Sequence, residues 1–79
     1  MIIIDDTNKR FVKKHIPNAD EILNSDSVRN ALKLFSDWLD MNPDCWDESG
    51  YYYSDLGRQA QRVYDDLLYD NVYAHKENA

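Results

Sequence analysis

Two apolar ladders with the same spacing constrain this chain most. Val28, Leu32, Phe35 and Leu39 recur at intervals of four, three and four, and Leu56, Ala60, Val63 and Leu67 repeat those intervals further on. Such spacing gathers each set on one face of an α-helix, and that face has to be buried against another element. The expectation is two long amphipathic helices, at about residues 26–41 and 54–70, within a mainly α bundle of three to four helices. Ser25 or Asp26 is placed to cap the first helix; Ser54 is placed to cap the second, with Asp55 in its first turn. Asn42 followed by Pro43 ends the first helix, because the residue before proline is pushed out of the helical region. Gly57 early in the second helix costs about 1 kcal/mol relative to Ala and signals close packing there. Leu34, Trp38 and Met41 form a second apolar stripe, and Tyr64, Leu68 and Val72 widen the face of the later helix. That is more apolar surface than one small helix pair needs.

Upstream, Ile2, Ile3 and Ile4 are consecutive β-branched residues. They suit a short strand, or else an N-terminal arm over residues 1–6 packed onto helices. From Thr7, a cap candidate followed by Phe11, Val12 and a basic second half predicts a short helix that Pro17 stops. Asn18 with Glu21 resembles a capping box and opens a turn or two carrying Ile22 and Leu23. The end of the chain, 74–79, is polar.

At 79 residues the chain is read as one small globular domain spanning 1–79. A chain of this size buries only about 60 to 65% of the surface its unfolded form exposes, so its core is small. Fifteen acids, twelve of them Asp, outweigh nine bases and leave a net charge of -6 and a pI near 4.6. That balance argues against direct nucleic-acid binding and against anionic lipid, both of which need clustered Lys and Arg. A basic partner fits better. Cys45 is the single cysteine, so no intramolecular disulfide forms and a cytoplasmic setting is expected. No apolar run approaches the length of a membrane span.

The charge is concentrated. Between Lys33 and Arg58 there is no Lys or Arg, while Asp37, Asp40, Asp44, Asp47, Glu48 and Asp55 fall in that window. Phe35, Trp38, Trp46, Tyr51, Tyr52 and Tyr53 fall there too, six of the ten aromatic residues in the chain. Asp37, Asp40, Asp44 and Asp47 stand at intervals of three, four and three; on a continuous helix they would form one stripe with carboxylates about 5 to 6 Å apart, although Pro43 bends that line. Self-repulsion makes such a surface costly to keep compact, and a partner of opposite charge relieves the cost.

Catalytic and metal chemistry find little footing. Counting from Asp40, the Asp40, Asn42, Asp44 spacing starts like a calcium loop, but Cys45 stands where a Gly is required and Tyr51 where a bidentate Glu belongs. His15, Cys45 and His75 are too scattered for a transition-metal site. An acidic loop raises a thiol pKa, the reverse of what a nucleophilic Cys45 needs. Neighbouring pairs such as Asp65 and Asp66 diverge by about 100° on a helix and make no acid/base dyad. Neither a cofactor nor an enzymatic activity is expected.

The leading expectation is a non-enzymatic, acidic protein-binding module. Its contact residues would be Asp37, Trp38, Asp40, Asp44, Trp46, Asp47, Glu48, Tyr51, Tyr52 and Asp55. The carboxylates would stand in for phosphates and the rings for bases on a basic, nucleic-acid-handling protein. In size and charge the chain is similar to small phage-encoded inhibitors such as anti-CRISPR and anti-restriction proteins, a likeness of composition that involves no motif. Two alternatives stand beside this. In one, Leu34, Trp38, Met41, Tyr64 and Leu68 close a homodimer of an antitoxin-like regulatory or structural protein; in the other, Lys9 to Lys14 grips phosphate.

Overall fold

A computed structural model describes residues 2–73. The polar stretch 74–79 lies outside the described residues. The architecture is mainly helical: α1 (Asp6–His15), α2 (Ala19–Leu23), α3 (Val28–Met41) and α4 (Asp55–Leu68), with a 3₁₀ turn at Pro43–Cys45 and a wider π-helical turn, Tyr69–Tyr73, continuing α4. The small helical bundle and its two long amphipathic helices are therefore present.

Both ladders face inward. Phe35 and Leu39 from α3 and Ala60, Val63 and Leu67 from α4 are buried, with Val28, Leu32 and Leu56 half-buried against them. Phe35 is fully enclosed, its ring tilted against Tyr64 of α4 at 5.9 Å. Burying a side chain of this size contributes about 1.5–3 kcal/mol, so the α3–α4 seam holds the bundle together. Val12, Ile16, Ala19, Ile22 and Leu23 extend the same core beneath α1 and α2. Among the described residues, no buried side-chain polar atom lacks a hydrogen-bond partner.

Several helix starts differ from the sequence expectation, for local reasons. Ser27, rather than Ser25 or Asp26, caps α3 by accepting from Asn30 N at 3.2 Å. Ser25 is occupied instead in a bend, where its hydroxyl donates to Ser27 O and accepts from Ser27 N. Asp5, not Thr7, caps α1 by accepting from Asn8 N at 2.7 Å. An Asp that bonds the orphan amides also favours the positive end of the helix, an advantage Thr lacks. Asn18 precedes α2, but its side chain accepts no helix amide, so no capping box forms. Ser54 caps α4 as expected, accepting from Gly57 N at 3.2 Å.

Ile2 to Ile4 form an arm that pairs with no strand among the described residues. Ile2 is buried, Ile4 is half-buried against the core, and Ile3 between them points outward. The backbone of Ile3 is paired by the side chain of Asn71. Asn8, the one buried polar residue described, ties α1 to α4 by donating from Nδ2 to Asp66 at 3.1 Å and to Asp5 at 3.4 Å.

Candidate functional site

The acidic, aromatic window is built on the end of α3, the connection after it and the start of α4. Pro43 ends α3 at Met41 and starts the 3₁₀ turn, and Asn42 Oδ1 accepts from Asp44 N at 3.0 Å to cap that turn. The line of aspartates therefore divides: Asp37 and Asp40 ride on α3, Asp44 sits in the turn and Asp47 lies beyond it.

Residues 46–53 fold back as a small hairpin closed by an antiparallel bridge between Trp46 and Tyr53. The Asp47 N–H donates to Tyr52 O at 2.8 Å. At the tip, Asp47 Oδ1 accepts from Ser49 N, Ser49 Oγ and Gly50 N at 3.0, 2.6 and 3.1 Å. Gly50 takes a φ of 76°, the left-handed conformation that glycine reaches without strain. These donors, the Ser49 hydroxyl first, hold the Asp47 carboxyl below the usual Asp range.

Beneath the hairpin the packing is tight. Cys45 is fully buried, and its carbonyl accepts from Ser54 N at 2.9 Å. A Cβ added at Gly57 would stand 1.9 Å from that carbonyl oxygen and 2.8 Å from Tyr53 Cδ1. The close approach signalled by a glycine inside a helix is thus between α4 and the 3₁₀ turn. Ser54 Oγ donates to Asp44 O at 2.5 Å while it caps α4, so one hydroxyl ties the turn to the helix. Burial, and then the Asp44 carboxylate, push the Cys45 thiol up. Burial also raises the Tyr53 phenol, with Asp40 and Asp65 adding to it; that hydroxyl donates to Gln61 Oε1 at 2.9 Å.

The ten expected contact residues fall into two groups. Asp37, Asp40, Asp44, Asp47, Glu48, Tyr51, Tyr52 and Asp55 are exposed, Tyr51 at 83% and Tyr52 at 71%. Trp38 and Trp46 are half-buried against the core. Trp38 meets Phe35 and Phe11 edge-on at 5.9 and 6.4 Å. Trp46 packs against Tyr53 with ring centroids 4.7 Å apart and planes tilted by 34°, and donates from its indole N–H to Leu39 O at 3.2 Å. The outward aromatic surface of the window is mainly Tyr51 and Tyr52. The base-free interval is also partly neutralised in space, because the flanking bases reach into it: Lys33 pairs with Asp37 at 2.8 Å and Arg58 with Asp55. Among the described residues, Asp40, Asp44, Asp47 and Glu48 carry no such ion pair.

A groove borders this surface between the α1–α2 connection and the C-terminal half of α3. It is shallow and open, with room of about 550 Å³, and is lined chiefly by His15, Pro17, Leu34, Asp37, Trp38 and Met41. Met41 is 83% exposed, the outer wall of the second apolar stripe. The sequence revealed that stripe through its spacing but not the groove, which depends on where Pro17 turns the chain.

No group of three or more His, Cys, Asp or Glu among the described residues is arranged to hold a metal ion. None of the described helices is long and apolar enough to cross a membrane. No family model, characterised protein or solved structure matches this chain.

Proposed function

We propose that this chain is a non-enzymatic binding module whose acidic surface occupies a basic site on a nucleic-acid-handling protein, acting there as an inhibitor or nucleic-acid mimic. The observation that carries this is the exposed set Asp40, Asp44, Asp47 and Glu48 together with the exposed rings of Tyr51 and Tyr52; Asp47, Glu48 and the two tyrosines lie on a hairpin whose ends, Trp46 and Tyr53, pack against the core. Exposed carboxylates without ion pairs steer toward a basic cleft, and tyrosines supply amphipathic contact area at low entropic cost. Anchoring keeps the tip from paying a large ordering penalty on binding. The lone buried cysteine agrees with a reducing, cytoplasmic setting.

Affinity capture from the source organism tests this, with the parent chain and an Asp40→Lys, Asp44→Lys, Glu48→Lys variant as baits. Asp47 is left intact because it holds the hairpin tip. A basic nucleic-acid-binding protein retained by the parent and lost from the variant is expected. Equal recovery by both baits contradicts the proposal.

The second reading is a homodimer closed by the apolar stripe, and the exposure of Met41 favours it specifically. Leu34, Trp38, Tyr64 and Leu68 are each half-buried within their own chain. Sedimentation at micromolar concentration separates the two: a monomer speaks against the dimer, and a tight dimer moves those side chains out of the partner-binding account.

A further inference from the structure

We propose that the groove beside the acidic surface receives an arginine-bearing segment of the partner protein, with the guanidinium at Asp37 and Trp38 and a neighbouring apolar side chain against Leu34 and Met41. The inference rests on the reading of a basic protein partner and names where that partner is anchored. At about 550 Å³ the open groove has room for a long side chain and an apolar neighbour.

Three features select a cation over a neutral or anionic occupant. Asp37 places an exposed carboxylate on the wall. The last turn of α3, which carries Met41 into the groove, contains no basic residue, so the negative end of the helix dipole there has no cation of its own helix. The half-buried Trp38 lines the groove as well, and an indole attracts a guanidinium that reaches its ring. Arginine suits this better than lysine, because its plane stacks on rings, its fork pairs with a carboxylate and it is less strongly hydrated. Lys33 holds Asp37 in the free protein, but that pair is exposed, 70% and 53% at the two side chains. Exposed pairs of this kind are weak, so an incoming guanidinium displaces Lys33 at little cost.

The probe is acetyl-Leu-Arg-amide, titrated into the isolated chain and followed by NMR at the Trp38 indole N–H and the Met41 methyl group. Acetyl-Leu-citrulline-amide, of similar shape but neutral, serves as control. Saturable shifts at both reporters are expected, with binding at least about five-fold weaker for citrulline or in Asp37→Asn, in line with loss of a charge-assisted hydrogen bond. Met41→Lys, at a position open to solvent, is expected to abolish the response at the Trp38 indole N–H while leaving the fold intact. Equal response to both probes, shifts confined to other surfaces, or no shift overturns the proposal. Reporter signals that already change with protein concentration overturn it too, since a second copy then fills the groove. A silent groove leaves the reading of the acidic surface standing, because the lysine variant at Asp40, Asp44 and Glu48 tests that surface separately.

Discussion

The side-chain amide of Asn71 closes a two-bond ring with the backbone of Ile3, accepting from its N–H at 2.7 Å and donating to its carbonyl at 2.8 Å. A neighbouring strand would offer the arm the same pair of bonds. The same Nδ2 donates to Leu67 O at 2.8 Å, one turn back on α4. Residue 71 lies in the π-helical turn, where the helix widens as it meets the arm. A single side chain thus ties the N-terminal arm to the end of α4, beside the packing of Ile2 and Ile4 against the core.

Asn71→Asp tests that arrangement with almost no change in shape. The carboxylate cannot donate to the carbonyls of Ile3 and Leu67, and it faces both with a negative charge. Denaturant unfolding is expected to show a loss of about 1–2 kcal/mol. Amide exchange at Ile3 is expected to rise with it. Unchanged stability and protection would show that the arm is held by its isoleucines alone.

Gly57→Ala is expected to destabilise the protein even though Ala is the better helix former. The added Cβ meets the Cys45 carbonyl at 1.9 Å, and a backbone atom held by Ser54 N cannot swing aside as a flexible side chain would. Helix propensity returns about 1 kcal/mol at most. Overpacking costs more, and a net loss of about 2 kcal/mol in chemical denaturation is expected. A neutral or stabilising substitution would mean that α4 and the 3₁₀ turn are further apart than described.

The hairpin tip is expected to respond to acid in a defined direction. The Asp47 carboxyl is held below its ordinary range, so its contribution to the folded tip is fully present above the ordinary Asp value of about 3.9 and is lost as pH falls through the lowered one. The amide signals of Ser49 and Gly50 should shift together with a midpoint below that ordinary value. Asp47→Asn should remove the step. A midpoint at or above the ordinary value contradicts the assignment.

Cys45 is expected to resist alkylation in the native protein at pH 8. Its side chain is fully buried and its pKa is raised, so both access and thiolate fraction are low. Modification should follow opening of the loop, accelerating in denaturant in step with unfolding. Rapid labelling at zero denaturant would contradict the burial.

What the sequence made legible follows from how local each signal is. The ladders ending at Leu39 and Leu67, the stop at Pro43 and the cap at Ser54 all act within a few residues, and all appear where the pattern put them. Contacts between distant segments left no such trace. Asn71 with Ile3, and Asn8 with Asp66, join residues more than fifty positions apart through ordinary amides that one sequence does not mark. The starts of α1 and α3 went to Asp5 and Ser27 because nearby Asp and Ser residues compete for the same amides, and geometry decides among them. In the acidic window, composition counted Trp38 and Trp46 with the surface, whereas the indoles serve the core and leave Tyr51 and Tyr52 outermost. The neutralisation of Asp37 and Asp55 by bases just outside the window is likewise visible only once the helices are formed.

The most direct test of a surface that engages a basic protein is the dissociation constant of the captured partner as a function of salt, for the parent and for the Asp40→Lys, Asp44→Lys, Glu48→Lys variant. Binding by the parent is expected to weaken steeply as salt rises, and the variant should bind at least about a hundredfold more weakly at low salt, with a shallow salt dependence. Parent and variant binding equally well at both low and high salt would contradict the account.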